Sequence, residues 1–289
     1  MTQIGFGIFC SNSNGSLSTN HTFKLQNLTI DRLLRTVNLN IKDFLSLLNL
    51  CKKENIEVFR LGSSFIPFAS HKNFKESWFF KIETILKEVK DAVKDFSIRI
   101  TMHPGQFVVL NSPNKNVLEN SIRELEYHFW LLDVLNIPDD GVIIVHIGGV
   151  YENKEKSIER FINVIEKNAW LKRRLAIEND ERHYNSKDVL YISKQIKVPF
   201  VFDYFHHKIN PSEIDLTEVF KTWFLKGVPK VHLSSQGKGK IGNHGDYVNI
   251  EDFLDLKKII EKTNIEKVHI MLEAKKKELA LKKLRKEIR

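Results

Sequence analysis

The sequence predicts a single-domain α/β fold, an eight-stranded TIM (β/α)8 barrel, on three observations. Its 289 residues suit a fold that typically needs about 250. Short β-rich runs alternate with longer amphipathic stretches, and no composition shift or low-complexity linker divides residues 1–289 into separate domains. Metal-capable side chains fall at the carboxyl ends of those runs, where barrels of this type assemble their sites.

In chain order the runs are IGFGIF (4–9), IEVFRL (56–61), IRITMH (98–103), GVIIVHIGG (141–149), LAIEND (175–180), VPFVFDYFH (198–206), PKVHLSS (229–235) and KVHIMLEAK (267–275). Helical patterns separate them. In KSIERFINVIEKN, Ile158, Phe161, Ile162 and Ile165 follow the i, i+3, i+4, i+7 stripe of a helix packed on a sheet. The closing run KKKELALKKLRKEIR puts Leu281, Leu284 and Ile288 on one stripe among cations, which predicts an amphipathic helix over about 275–289 in preference to a dedicated nucleic-acid arm. In the seventh run Lys230 and His232 stand two apart and therefore share a face, an unusual pairing for a buried strand.

Composition excludes several classes. No stretch reaches the roughly 18 apolar residues of a membrane span, and MTQIGFGIFC lacks the regions of a signal peptide, so a cytoplasmic protein is expected. Cys10 and Cys51 are too few for a disulfide framework or a thiolate cage and read as small buried residues. The net charge of +9, from 45 basic and 36 acidic residues, suits a polyanionic partner. No periodic apolar surface calls for an obligate protein partner, and a monomer is expected.

The run ends carry His103, His146, Glu178, Asp203 with His206 just beyond, His232 and Glu273; His71 follows the second run and His244 the seventh. One histidine at such a place is usually a hydrogen-bonded core residue, and one carboxylate a helix cap. Repetition around one rim instead predicts a multinuclear site for Zn²⁺, Mn²⁺ or Fe²⁺. His21, His128, His183 and His207 lack that placement and read as surface or packing residues, and His269 as a barrel-interior packing residue. Clustered ions suit hydrolysis at phosphorus, yet metal-dependent sugar isomerases and epimerases use the same residue types on similar barrels, and a binding protein with a non-catalytic metal core is a third reading.

The segments RLGSSFIPFASH, TMHPGQF, VHIGG, LAIENDERHYN, VFDYFHH, KVHLSSQ and MLEAK stand in the order and spacing of the UV damage endonucleases, and the chain resembles that family from Gly5 to its C-terminal segment. The resemblance implies a metal-dependent DNA repair enzyme, similar in fold and metal chemistry to endonuclease IV. Such an enzyme nicks double-stranded DNA immediately 5′ of cyclobutane pyrimidine dimers and 6-4 photoproducts, and at some other lesions including abasic sites, leaving a 3′-hydroxyl and a 5′-phosphate. It implies three divalent ions, with Mn²⁺ favoured.

Carried over by motif, His103, His146 and Glu178 surround one ion, with Glu178 bridging to the next. Asp203, His232 and Glu273 take the second, and His206 and His244 the third. His71, from PFASH, is either a direct ligand or an outer partner. Gln106 and Phe107 become the pair that probes the duplex, Asn12 touches the damaged strand, and Phe107 and Phe6 stand where the family commonly has tyrosine. Lys238 and Lys240, in SSQGKGKIGNHG, are placed to meet phosphates. The family's lysine two before the seventh-strand histidine is carboxylated beside the metals, which makes Lys230 a catalytic-site candidate as N6-carboxylysine.

Overall fold

In the computed structural model, which describes residues 2–288, eight parallel strands close into one barrel in sequential order. They are β1 (Gln3–Phe9), β2 (Val58–Leu61), β3 (Arg99–Met102), β4 (Ile143–His146), β5 (Leu175–Glu178), β6 (Phe200–Asp203), β7 (Lys230–Leu233) and β8 (Lys267–Leu272). β8 pairs back to β1 in the register Gln3↔Lys267 through Gly7↔Met271. Seven of the runs read from the sequence contain one of these strands whole, and β1 begins one residue before the first run. Around them lie α1 (Ile30–Lys53), α2 (Glu76–Asp95), α3 (Lys115–Val134), α4 (Lys154–Lys167), α5 (Ser186–Ile196), the short α6 (Tyr204–Ile209) and α7 (Leu216–Lys221), α8 (Ile250–Glu261) and α9 (Lys277–Glu287). No helix among the described residues is long and apolar enough to cross a membrane.

Strand alternation divides the core into two layers. Outward-facing Phe6, Ile8, Phe59 and Leu61 are buried against helices, as in the Phe44–Phe59 contact between α1 and β2 at 5.8 Å. Each such side chain contributes about 1.5–3 kcal/mol by leaving water. Inward-facing positions are of a different kind. Val142, Ile144, Ala176 and Val201 form an apolar plug closed by Trp223, and the Arg99 guanidinium lies 5.3 Å from the Trp223 ring centroid. Gly5 and Gly7 face inward too: a Cβ on Gly5 would lie 2.7 Å from His269 Cδ2, and one on Gly7 2.9 Å from Met271 Cε. Only glycine leaves those two side chains their room. His269, 3.2 Å from Arg99 Nη1, has the interior packing role expected of it.

Three expectations need correction. The sixth run reads as extended to residue 206, but β6 stops at Asp203, whose Oδ1 accepts the His206 backbone N–H at 2.8 Å and so starts α6. The closing helix buries Ala280, Leu281 and Leu284, whereas Ile288 lies past its end and is 40% exposed. Arg289, the last residue of that expected helix, lies outside the described residues, as does Met1. The third correction concerns Phe6. Its ring is 6% exposed and packs 6.1 Å from Phe253 of α8 and 5.5 Å from the Arg285 guanidinium of α9, which turns it outward and away from the barrel mouth. The parity of β1 decides this: the inward aromatic at the carboxyl end is Phe9, beneath Lys277 Nζ at 3.1 Å and within 5.6 Å of the Arg60 guanidinium.

Candidate active site

The inward residues at the carboxyl ends of β3 to β8 converge on the Glu178 carboxylate. Its Oε2 lies 2.9 Å from His103 Nε2 and 4.0 Å from His146 Nε2. Its Oε1 lies 2.7 Å from His232 Nδ1 and 4.0 Å from His206 Nδ1. Ligand atoms fall into three groups, His103–His146–Glu178, Glu178–Asp203–His206 and Asp203–His232–Glu273, each with its atoms within 4.8 Å of one another. Glu178 belongs to two groups and so does Asp203. His206 groups with Glu178 and Asp203, and its ring centroid lies 6.2 Å from that of His244, its expected partner at the third ion. His244 stands beside Glu273, Nδ1 to Oε2 3.6 Å.

The residues present fit divalent ions. Asp203 Oδ2 and His146 Nδ1 are buried without a hydrogen-bond partner, a costly state for polar atoms unless a cation or its water satisfies them. Asp203 Oδ1 is occupied in capping α6, which aims Oδ2 at the centre and sets His206 one turn beyond. Asn179 fastens that arrangement: its side chain bonds both the N–H and the C=O of Asp203, at 2.8 and 2.9 Å, and its carbonyl receives His206 Nδ1 at 3.0 Å. His103 donates Nδ1–H to the Pro104 carbonyl at 3.1 Å, leaving Nε2 as the ligand atom.

Burial and neighbouring charge set the protonation of the metal-free centre. Burial, reinforced by Glu273 and Asp203, raises the Glu178 carboxyl well above its ordinary value. Burial, with Arg60, drives His103 well below the usual imidazole range and, in spite of Glu273, does the same to His232, so both are neutral. Burial and then Arg60 and Arg99 also hold Lys230 well below the usual lysine value. Glu273 goes the other way: burial opposes its ionisation, but the Arg60 guanidinium outweighs that and keeps it ionised.

Arg60 is the functional residue missed in the sequence. Its guanidinium, buried at the carboxyl end of β2, donates Nη2–H to His232 Nε2 at 2.9 Å and pairs with Glu273. His232 therefore carries its proton on Nδ1, directed at Glu178. Arginine within RLGSSF reads as an ordinary polar residue until β2 parity turns it inward. Lys230 lies one layer below His232, fully buried, and reaches across the barrel to donate to Thr101 Oγ1 at 3.0 Å.

The remaining site residues lie around the mouth. Gln106 and Phe107 are exposed on the HPGQF turn, Phe107 by 65%. His71 falls outside the metal groups; with Phe107 it lines a cavity of about 670 Å³, and its Nδ1 accepts the Asn73 N–H at 3.1 Å. Asn12 spends its amide on its own loop, accepting from Leu17 N at 3.0 Å and donating to Ser16 Oγ at 2.9 Å. Glu278 of α9 ties that loop down through the Ser13 backbone N–H, at 2.9 Å. Lys238 and Lys240 are exposed and form no ion pair among the described residues. His21, which pairs with Asp43 at 2.8 Å, and His128, bonded to the Glu124 carbonyl at 2.6 Å, have packing roles.

Comparison with known proteins agrees with this geometry. Residues 14–289 match the family described as UV-endonuclease UvdE. A UV DNA damage endonuclease of Bacillus cereus (strain Q1) is 34% identical over 258 residues, which cover 87% of this chain and 81% of that one. The crystal structure of SacUVDE superimposes with a TM-score of 0.88 at 37% identity, covering 99% of this chain and 98% of that chain. A D-psicose 3-epimerase from Clostridium cellulolyticum H10, at 14% identity with a TM-score of 0.57 over 93% of this chain and 85% of that one, shares the fold alone. A family match over nearly the whole chain, joined to a mouth built from the matched segments, shows that this chain belongs to the UV-endonuclease UvdE family.

Proposed function

We propose that the protein is a metal-dependent endonuclease that nicks duplex DNA immediately 5′ of cyclobutane pyrimidine dimers and 6-4 photoproducts, and at abasic sites, leaving 3′-hydroxyl and 5′-phosphate ends. The observation that carries this reading is the row of three ligand groups joined through Glu178 and Asp203 beneath the exposed Gln106–Phe107 turn. Three divalent ions, Mn²⁺ by preference over Zn²⁺ or Fe²⁺, fit those groups, with His244 completing the environment of Glu273. Bound in those groups, such ions would lower the pKa of water and neutralise phosphate charge. Water oxygen adds to phosphorus, the P–O3′ bond breaks, and O3′ takes a proton to end as a hydroxyl.

The chain's own groups position this reaction. Neutral His103 offers a lone pair at Nε2, and ionised Glu273 offers charge without carrying a proton of its own into the centre. His71, whose Nδ1 is an acceptor, holds its proton on Nε2 and serves as a donor to phosphate oxygen from outside the metal groups. Gln106 and Phe107 enter the stack at the lesion, phenylalanine supplying the flat wedge without a hydroxyl contact. A sugar isomerase has no use for an exposed probing pair above its metals. The enzyme acts as a monomer. Incubation with Mn²⁺ and a duplex carrying one thymine dimer tests the reading: a single nick on the 5′ side is expected, and intact duplex overturns it.

Lys230 is carboxylated in this reading. Its neutral, buried amine adds to carbon dioxide and releases one proton, so a carbamate anion replaces a buried amine whose hydrogen bond is to the neutral Thr101 hydroxyl. Native mass under mildly alkaline conditions is expected to show about 44 Da extra, the mass of one carbon dioxide on the lysine. The same adduct on Lys230→Ala would assign it elsewhere.

A further inference from the structure

We propose that Ile241 is a second reading contact for damaged DNA, packing its apolar side chain against a nucleobase that leaves the helix stack, from the side of the mouth opposite Phe107. The proposal rests on the family reading that the chain acts on damaged DNA. Ile241 is 77% exposed at the tip of the segment between β7 and α8, and it has no packing role there.

The loop is built to hold that residue still. Gln236 and His244 form an antiparallel bridge at its base. The Gln236 side chain then spans the tip: Nε2 donates to the carbonyls of Gly237 and Lys240 at 2.8 and 2.9 Å, and Oε1 accepts the Gly242 N–H at 3.0 Å. Asn243 adds a bond to the Lys238 carbonyl at 3.2 Å. Gly239 and Gly242, at φ +94 and +92, permit the turns on either side of Ile241. A contact held by a preformed loop loses little entropy on binding.

Position gives the contact its partner. Ile241 lines a cavity of about 420 Å³ together with Gln106, His146 and Arg182, so the loop and the probing turn share one space directly over a metal ligand. Lys240 adjoins Ile241 and Lys238 stands three residues before it; both are exposed and suited to phosphates beside an unstacked nucleotide. The base of the same loop carries His244, beside Glu273. Recognition at the tip is thereby linked to the centre through one short segment.

Single-turnover nicking, read against enzyme concentration, tests this with a thymine-dimer duplex, alongside binding of the matched undamaged duplex. Ile241→Ser is expected to raise the half-saturating concentration on damaged DNA roughly tenfold, the loss typical of one buried aliphatic contact, with maximal rate and bound metal unchanged. Affinity for undamaged duplex stays constant, and Ile241→Leu restores the damaged-duplex value. Gln236→Ala, which releases the tip, gives a smaller loss of the same kind. Unchanged half-saturation for Ile241→Ser, or equal weakening on both duplexes, overturns the proposal while leaving the family reading intact. If the wild-type protein fails to nick damaged duplex, both fall together.

Discussion

Replacement of Glu178 by glutamine is expected to abolish nicking, by more than about a hundredfold, because even groups that merely support a metal ligand cost that much when removed. The amide keeps the shape of the carboxyl but offers one neutral oxygen where two ligand groups now meet at Oε1 and Oε2. Two ions lose a shared anion in one substitution. Bound metal should fall with activity, while the melting temperature of the metal-free protein changes little, since glutamine retains hydrogen-bonding groups at both positions. Wild-type nicking by Glu178→Gln would sink the assignment.

Protonation sharpens the same test. Burial and the nearby Glu273 and Asp203 raise the Glu178 pKa in the folded protein, so this carboxyl stabilises the metal-free fold fully below its ordinary range and ceases to do so as pH rises through the raised value. Metal must displace that proton. Affinity is therefore expected to increase with pH across this window, and calorimetry in buffers of different ionisation enthalpy should show proton release that Glu178→Gln lacks. The neutral state of His103 and His232 means that they contribute no proton of their own. Binding without any proton release would contradict this picture.

Arg60→Met should produce the largest loss of stability outside the hydrophobic core, and chiefly in the metal-free protein. The guanidinium is the cation in direct contact with Glu273, and it also holds His232. Its removal strands a buried carboxylate, a change that typically costs 3–5 kcal/mol. For a chain of this size that corresponds to roughly 6–20 °C in melting temperature. Saturating Mn²⁺ is expected to recover most of the difference, because bound cations neutralise the same carboxylates. A loss of equal size with and without metal would reduce Arg60 to a packing residue.

Much of this protein was legible in its sequence because a barrel strand reports its own parity. Residues two apart share a face, so His103, His146, Glu178, Asp203, His232 and Glu273 at the ends of successive runs could be read as one ring. The pairing of Lys230 with His232 followed from the same rule, and both are buried in the interior. Parity also explains the failures. Phe6 stands by resemblance where the family commonly has tyrosine, yet the register of β1 against β8 turns it outward and leaves Phe9 at the mouth. Arg60 reads as an ordinary solvated arginine, and only the closed barrel buries its guanidinium against His232 and Glu273.

The order of eight strands, the location of the active end and the identity of most ligands are local properties, encoded in hydrophobic period and in the residue that ends each strand. Which ligands share an ion, which aromatic reaches the mouth, and how Gln236 braces Ile241 depend on distances between segments far apart in the chain. Those distances exist only after the barrel closes, when one register fixes every inward side chain against the strand across from it.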